Sequence, residues 1–269
     1  MLTAHAYLVP HRPTLVLDQH RGHRTAMLEA LAAAAGELAA AAPQAIVILS
    51  ARWTTRGPFR VDAGKRHRTL TDYAGLGVEL RYDCEGHPAL ARALVEAGQG
   101  AGLRVAAASR GADSGVTVPL HFLMPARQVH VVPLSLPPQE PAACRAWGAV
   151  VRDVVERWNE RVAFMVGGVL SCNEHAWNLR RDVPEARAFD EAVLAALERG
   201  EWDHAGAGGR GALGKARPEA GLRHLEVLRG FLGDGVRGAL RCYEASPGIG
   251  AALVEFPVGV SVPAAPRSA

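Results

Sequence analysis

The chain has 269 residues, 49% of them hydrophobic, with 30 Lys and Arg set against 27 Asp and Glu for a formal charge of +3. That length and apolar content can bury a substantial core. The basic residues are scattered among acids with no basic block, which argues against nucleic acid as a partner, and no apolar run approaches the roughly 18 residues of a membrane-spanning helix.

The short apolar patch at Tyr7 to Val9 is broken at once by Pro10 and His11, so a secretory leader is not expected. The four cysteines, Cys84, Cys144, Cys172 and Cys242, show no CxxC spacing, which argues against a zinc knuckle or a disulfide framework. Reduced thiols and a cytoplasmic location are the expectation, with no membrane partner.

In chain order, Ala4 to Val9 reads as a strand, and Pro10, His11, Arg12 and Pro13 as a stiff turn, since each proline fixes φ and biases its predecessor away from helix. Thr25 to Ala42 is rich in Ala, Leu and Glu and predicts a helix stopped by Pro43. Ala45 to Ser50 is an apolar run of the kind found in buried parallel strands. The alternation continues with a helix from Pro88 to Gly98, strands at Leu103 to Ala107 and His130 to Ser135, a helix from Ala142 to Arg157, and a strand from Arg161 to Val166. Helices follow at Ala186 to Glu198 and Glu219 to Leu232, then a strand from Gly250 to Phe256. The glycine-rich stretch Gly206 to Gly214 lacks the GxxxxGK[ST] order of a phosphate cradle and predicts a mobile or tightly turned loop. This pattern predicts a single α/β domain over residues 1–256, a mostly parallel central sheet with helices on both faces, and a flexible C-terminal tail over 257–269.

Ligands of open α/β sheets collect outside the carboxyl ends of the strands. Those ends deliver His11, then Ser50-Ala51-Arg52-Trp53, then Val132-Pro133-Leu134-Ser135, then Gly167-Gly168-Val169-Leu170-Ser171-Cys172. With L-V-P-H-R-P in front, E-A-G-L-R-H behind, and the linking pieces Gly111 to Phe122 and Cys242 to Gly250, the chain resembles the class III extradiol ring-cleavage dioxygenases. It is similar to the B-type catalytic component of those enzymes and to the domain at the front of AmmeMemoRadiSam group A proteins. The resemblance implies a mononuclear Fe(II) held by two histidines and a glutamate, leaving open positions for a catecholate and dioxygen. It assigns the metal positions His11 and Glu219, the latter opening the late helix. The second histidine ligand falls at Arg52, the acid/base histidine at Ser114, and the remaining active-site histidine at Cys172, with Val169 in the place of that motif's aspartate.

Arginine offers donors only and cannot ligate a metal. The sequence therefore admits either a metal-free site or a rebuilt Fe(II) site. In the metal-free reading the Arg52 guanidinium occupies the metal position and pairs with Glu219. In the rebuilt reading His175 or His121 supplies the acid/base chemistry that ring cleavage needs near neutral pH, although the plainer reading of both is structural. Arg52, Trp53, Ser114 and Cys172 are candidates for binding a small aromatic or acidic ligand, with Arg52 facing a carboxylate and Trp53 offering a stacking face. For Cys172 a soft-ligand or reactive-thiol role stands against that of a small buried residue.

Three functions follow. The first is a homologue that has lost ring cleavage and serves as a structural or regulatory subunit, in a homo-oligomer or beside an active homologous subunit. The others are a dioxygenase with a rebuilt site and a non-catalytic binder.

Overall fold

The computed structural model describes residues 2–3, 5–73, 75–205 and 210–258. An eight-stranded sheet runs through the molecule, and the strands at its centre, such as Ala45–Ser50 and Val162–Gly167, are buried along their whole length. The first strand is β1 (His5–Val9); Ala4, where the sequence predicts its start, lies outside the described residues. A short helix, α1 (Thr14–His20), follows the proline turn and was not expected from the sequence. Helix α2 (Ala26–Ala41) begins where the Thr25 hydroxyl accepts a hydrogen bond from the Leu28 amide, an N-cap that satisfies one of the free first-turn donors. Then come β2 (Ala45–Ser50), β3 (Phe59–Asp62), the two-residue strands β4 (Arg66–His67) and β5 (Cys84–Glu85), and α3 (Pro88–Gly100). Next are β6 (Val105–Ala108), α4 (Ser114–Leu123), β7 (His130–Leu134), α5 (Pro141–Arg157) and β8 (Val162–Gly167).

The C-terminal third holds α6 (Glu174–Asn178), α7 (Pro184–Arg199), α8 (Arg210–Ala216), α9 (Arg223–Leu232), β9 (Ala239–Ser246) and β10 (Ile249–Pro257). The second half of the glycine-rich stretch is thus helical. Its first part, residues 206–209, and residues 259–269 of the expected tail lie outside the described residues.

The strand order is β6-β3-β7-β2-β8-β1-β10-β9. Strands β7, β2, β8 and β1 pair in parallel, as do β3 and β6, while β10 and β9 close one edge antiparallel. The period of two along each strand divides the apolar residues between two cores. Leu8, Val47, Leu49, Phe164 and Val166 enter one, with Trp147 and Phe231; Tyr7, Val9, Ile46, Ile48 and Met165 enter the other, with Met27 and Leu31. Uninterrupted apolar runs such as Ile46-Val47-Ile48 are what a parallel strand covered on both faces requires.

On the first face, α5 and α9 lie close enough to admit no side chain at two crossing points. A Cβ on Gly148 would stand 2.0 Å from the Val227 carbonyl oxygen, and one on Gly230 would stand 1.9 Å from that of Arg145. This approach drops Phe231 onto Phe164 with ring centroids 4.0 Å apart and fixes α9 over the sheet.

Candidate functional site

The carboxyl ends of β1, β2 and β8 open onto one cavity of about 350 Å³, whose walls include His11, Arg12, Arg52, Asp72, Cys172 and Trp177. Its floor is held by backbone bonds between the three strand ends: the Gly168 amide donates to the Val9 carbonyl and the Ala51 amide to the Gly167 carbonyl, each at 3.0 Å. Helix α4 presses its first turn onto β8, where a Cβ on Gly167 would stand 1.9 Å from the Gly115 oxygen. Glycine at both positions lets Ser114 sit over the carboxyl ends of the central strands.

His11 and Glu219 meet. The His11 Nε2 lies 2.8 Å from Oε1 and 3.0 Å from Oε2 of Glu219, and the Val169 amide donates to the same Oε2 at 2.7 Å. Both side chains are about 7% exposed, so the contact is screened little by solvent. Burial opposes charge on each group, yet the partner's charge and hydrogen bond outweigh it: the His11 pKa is raised and that of Glu219 lowered. Both shifts favour the charged forms of the two partners, so the contact is charge-assisted.

Glu219 does not open a helix, contrary to the sequence expectation. It begins a 3-10 turn, and Ala220, Gly221 and Leu222 follow with φ of 49°, 61° and 59° before α9 starts at Arg223. Left-handed backbone costs a non-glycine residue about 1 to 2 kcal/mol, and this turn places two such residues beside the site, a concentration of strain typical of functional positions. The reversal, together with the Glu219 amide donating to the Leu170 carbonyl at 2.9 Å, aims the carboxylate back at His11.

Arg52 does not reach Glu219 as a partner. Its guanidinium lies 3.6 Å from Asp72 and 3.3 Å from Glu174. Asp72 in turn accepts from the Ser114 amide at 3.1 Å and from its hydroxyl at 2.8 Å. The residues at two of the positions where the resemblance expects histidine are therefore joined through one carboxylate: Ser114 fixes Asp72, and Arg52 lies between Asp72 and Glu174. Cys172 lines the same cavity; burial first, then the charges of Glu219 and Glu174, push its thiol up to about 12, so it is a neutral thiol near pH 7 and a poor nucleophile.

The remaining sequence candidates lie elsewhere. Trp53 is buried, and the Arg110 guanidinium carbon sits 5.3 Å above its ring, so that face is already covered and does not line the cavity. His175 is exposed on α6, outside the cavity walls. His121, near the end of α4, pairs with Gln19 at 2.6 Å and is likewise outside those walls.

Sequence reasoning singled out neither Asp72 nor His224. His224 is fully buried on α9, with neither ring nitrogen partnered among the described residues, and burial lowers its pKa to about 4 despite the pull of Glu219. It is a neutral imidazole packed against Gly168, where a Cβ would stand 2.9 Å from its Cδ2.

A two-histidine, one-carboxylate iron site needs three converging donors. Among the described residues no three His, Cys, Asp or Glu side chains converge as a metal-binding group. The His11 nitrogen and both Glu219 oxygens face each other, and the next strand end presents a cation. The residues present do not fit the implied iron.

Residues 5–254 match the family model described as the catalytic LigB subunit of aromatic ring-opening dioxygenase. The chain is similar to a dioxygenase, tasH, of Hapsidospora irregularis, with 28% identity over 170 residues, 61% of this chain and 51% of that protein. It thus spans about half the length of this curated relative. The crystal structure of an uncharacterized protein of Escherichia coli K12, JW3007, shares the fold with a TM-score of 0.69 at 21% identity, over 95% of this chain and 100% of that one. The relatives that the family model describes are generally metal-dependent, which makes the arginine at the end of β2 a departure within the fold. With collinear motifs, a doubly covered sheet and a family match over almost all its length, the chain belongs to the family of the catalytic LigB subunits of aromatic ring-opening dioxygenases.

Proposed function

We propose that this LigB-family protein does not cleave catechols by the iron route and serves instead as a structural or regulatory subunit, in a homo-oligomer or beside an active homologue. One observation carries the reading: Arg52, Asp72 and Ser114 form a connected set in the place of a ligand and an acid/base group, while the His11 Nε2 and the Glu219 carboxylate pair with each other. A site that had lost one residue by chance would leave an unpaired buried charge, which is costly; here the departures compensate one another.

Ring cleavage also needs a group that takes and returns protons near neutral pH. Ser114 does not titrate in that range, Cys172 is held far above it, and His224 far below. The family model describes a subunit, a component of an assembly, which supports a role alongside other chains. No helix among the described residues is long and apolar enough to cross a membrane, and the cytoplasm is the compartment we assign.

The reading is tested by co-expressing the tagged chain with an intact LigB-family homologue from the same source, and by oxygen uptake of the purified protein with iron(II) and a catechol panel. Complex formation or self-association without oxygen consumption is expected. Iron-dependent oxygen uptake that His11→Ala and Glu219→Ala abolish would replace this reading with a rebuilt, active site, and His224→Ala would then ask whether its free nitrogens take part.

A further inference from the structure

One buried carboxylate stands at the root of the two segments that carry Asp72 and Ser114. Asp62, at the end of β3, accepts through Oδ1 from the Gly64 amide and through Oδ2 from the Arg110 and Gly111 amides, each at 2.9 Å. From there the two segments run side by side, joined where the Leu70 amide donates to the Ala112 carbonyl at 2.7 Å and the Ala112 amide to the Arg68 carbonyl at 2.9 Å. At their far ends the Ser114 hydroxyl donates to Asp72, and Asp72 faces Arg52 in the cavity wall.

His67, on β4, closes this root. Its Nε2 lies 2.9 Å from the Val131 carbonyl oxygen, which only accepts, so Nε2 carries a proton. Its Nδ1 lies 3.4 Å from the Asp62 Oδ1 and has no hydrogen-bond partner among the described residues. In the neutral ring Nδ1 is thus a bare acceptor turned towards a buried carboxylate; in the imidazolium it is a donor. The ring has no room to turn away: both side chains are 1% exposed, and a Cβ on Gly86 would stand 2.8 Å from Nε2.

Among the described residues, Asp62 is the one charged group that faces the ring. The cross-strand partner Cys84 is a neutral thiol, pushed up to about 12 by burial first. Lys65, Arg66, Arg68 and Glu85 are exposed, as is His130 beside Val131. Asp83 accepts from the Thr69 amide, the His87 ring turns to Glu160, and the Arg110 guanidinium turns to Asp113. Burial opposes the charge on Asp62, but the bonds from His67 and the three backbone amides hold its carboxyl down at about 2, so it stays charged wherever histidine titrates.

We propose that His67 is a proton-operated lock on the site: as an imidazolium it donates to Val131 and Asp62 at once and holds the roots of the Asp72 and Ser114 segments together, and on losing its Nδ1 proton it sets a lone pair against the carboxylate and loosens both. The protonated ring makes the additional bond, so the lock is present at low pH and is lost as pH rises through the titration of the ring. The connected set of Arg52, Asp72 and Ser114 is therefore held most firmly on the acid side. The lock acts on the geometry of the site whether the chain works as a subunit or as a catalyst, and its test involves neither assembly nor iron nor oxygen.

Two measurements on the full chain test it. Imidazole-nitrogen NMR, with the His67 signals assigned through the bonds of the ring to its own backbone, should show both nitrogens protonated at about pH 6 and Nδ1 bare at about pH 8. Hydrogen exchange read by mass spectrometry and corrected for intrinsic rates should show segments 68–73 and 110–115 losing protection by at least about tenfold over the same interval, the effect of one charge-assisted hydrogen bond, while β2 keeps its protection. His67→Gln keeps a donor for the Val131 carbonyl without a titrating group and should abolish that pH dependence. Both wild-type measurements stand even if the variant fails to fold. A His67 ring that keeps one protonation state from about pH 5 to about pH 9, wild-type protection that does not fall over this range, or the same fall in a folded His67→Gln protein would each overturn the proposal.

Discussion

Replacing Glu219 by Gln keeps the shape of the buried pair and removes its charge. In the native protein the carboxylate serves two buried donors, His11 Nε2 and the Val169 amide. An amide keeps one acceptor oxygen, and the NH2 group that replaces Oε1, 2.8 Å from the His11 Nε2, sets a donor against a donor, a loss of about 1 to 3 kcal/mol. The surviving bond no longer has charge assistance, which brings the total to about 2 to 5 kcal/mol, near the cost of breaking a buried ion pair. A solvent-exposed pair such as Arg187 with Glu191 contributes about 0 to 1 kcal/mol by comparison.

The pH dependence is set by the two shifts. The Glu219 pKa is lowered, so its contribution is complete above the ordinary value of 4.5 and is lost as pH falls through the folded value. The His11 pKa is raised, so its contribution is complete below the ordinary 6.5 and is lost as pH rises through the folded value. The difference in stability between wild type and Glu219→Gln should therefore peak between pH 4.5 and 6.5 and shrink on both sides. Urea unfolding of both proteins at intervals from pH 4 to about 9 measures it. A difference that stays flat across this range, or a variant as stable as wild type near pH 6, would refute the pair.

Gly148→Ala and Gly230→Ala each drive a methyl into a backbone oxygen of the facing helix; each should cost about 3 kcal/mol, the upper end of ordinary overpacking, read as a fall in melting temperature. The Asp190 pKa is raised to about 6, because burial outweighs its bonds from Ser171 and Tyr243. A raised carboxyl favours folding when protonated, so this contribution is lost as pH rises from the ordinary 3.8 towards 6, and Asp190→Asn should flatten the wild-type decline across that window in the same urea assay. Cys172, held as a thiol, should be alkylated by iodoacetamide at pH 7 far more slowly than a small free thiol, as mass spectrometry of the modified peptide will show.

The elements legible in the sequence were those whose stability is local or fully apolar. Helix α2 is an alanine-rich run with a Thr cap and α5 a well-separated amphipathic pattern, while β2 and β8 are continuous apolar runs that only a doubly covered strand tolerates. Helix α4 read as a linking piece because it contains Gly115 and Pro119 and is rich in β-branched residues, all poor helix signals; tertiary burial on both of its sides overrides them. Strand β9 was missed because its exposed edge position mixes Arg, Glu and Ser into the alternation.

At the site, the motif positions of His11, Arg52 and Cys172 could be read because they follow strand ends. The partner of Arg52 could not: Asp72 lies in an irregular segment with no periodicity, and only the fold brings it to Ser114. The turn after Glu219 was equally hidden, since left-handed Ala220 and Leu222 have no signature in sequence and are imposed by their surroundings. His224 carried a helical-face pattern that does not distinguish a packed imidazole from a functional one.

The central claim is that Arg52 and the His11–Glu219 pair have replaced a metal site, and anaerobic iron(II) titration of the metal-stripped wild type beside Arg52→His tests it most directly. The wild type should bind no stoichiometric iron, while Arg52→His, which restores an imidazole donor at the end of β2, should gain binding that a further Glu219→Ala change removes. Stoichiometric iron in the wild type, lost in Glu219→Ala, would contradict the account.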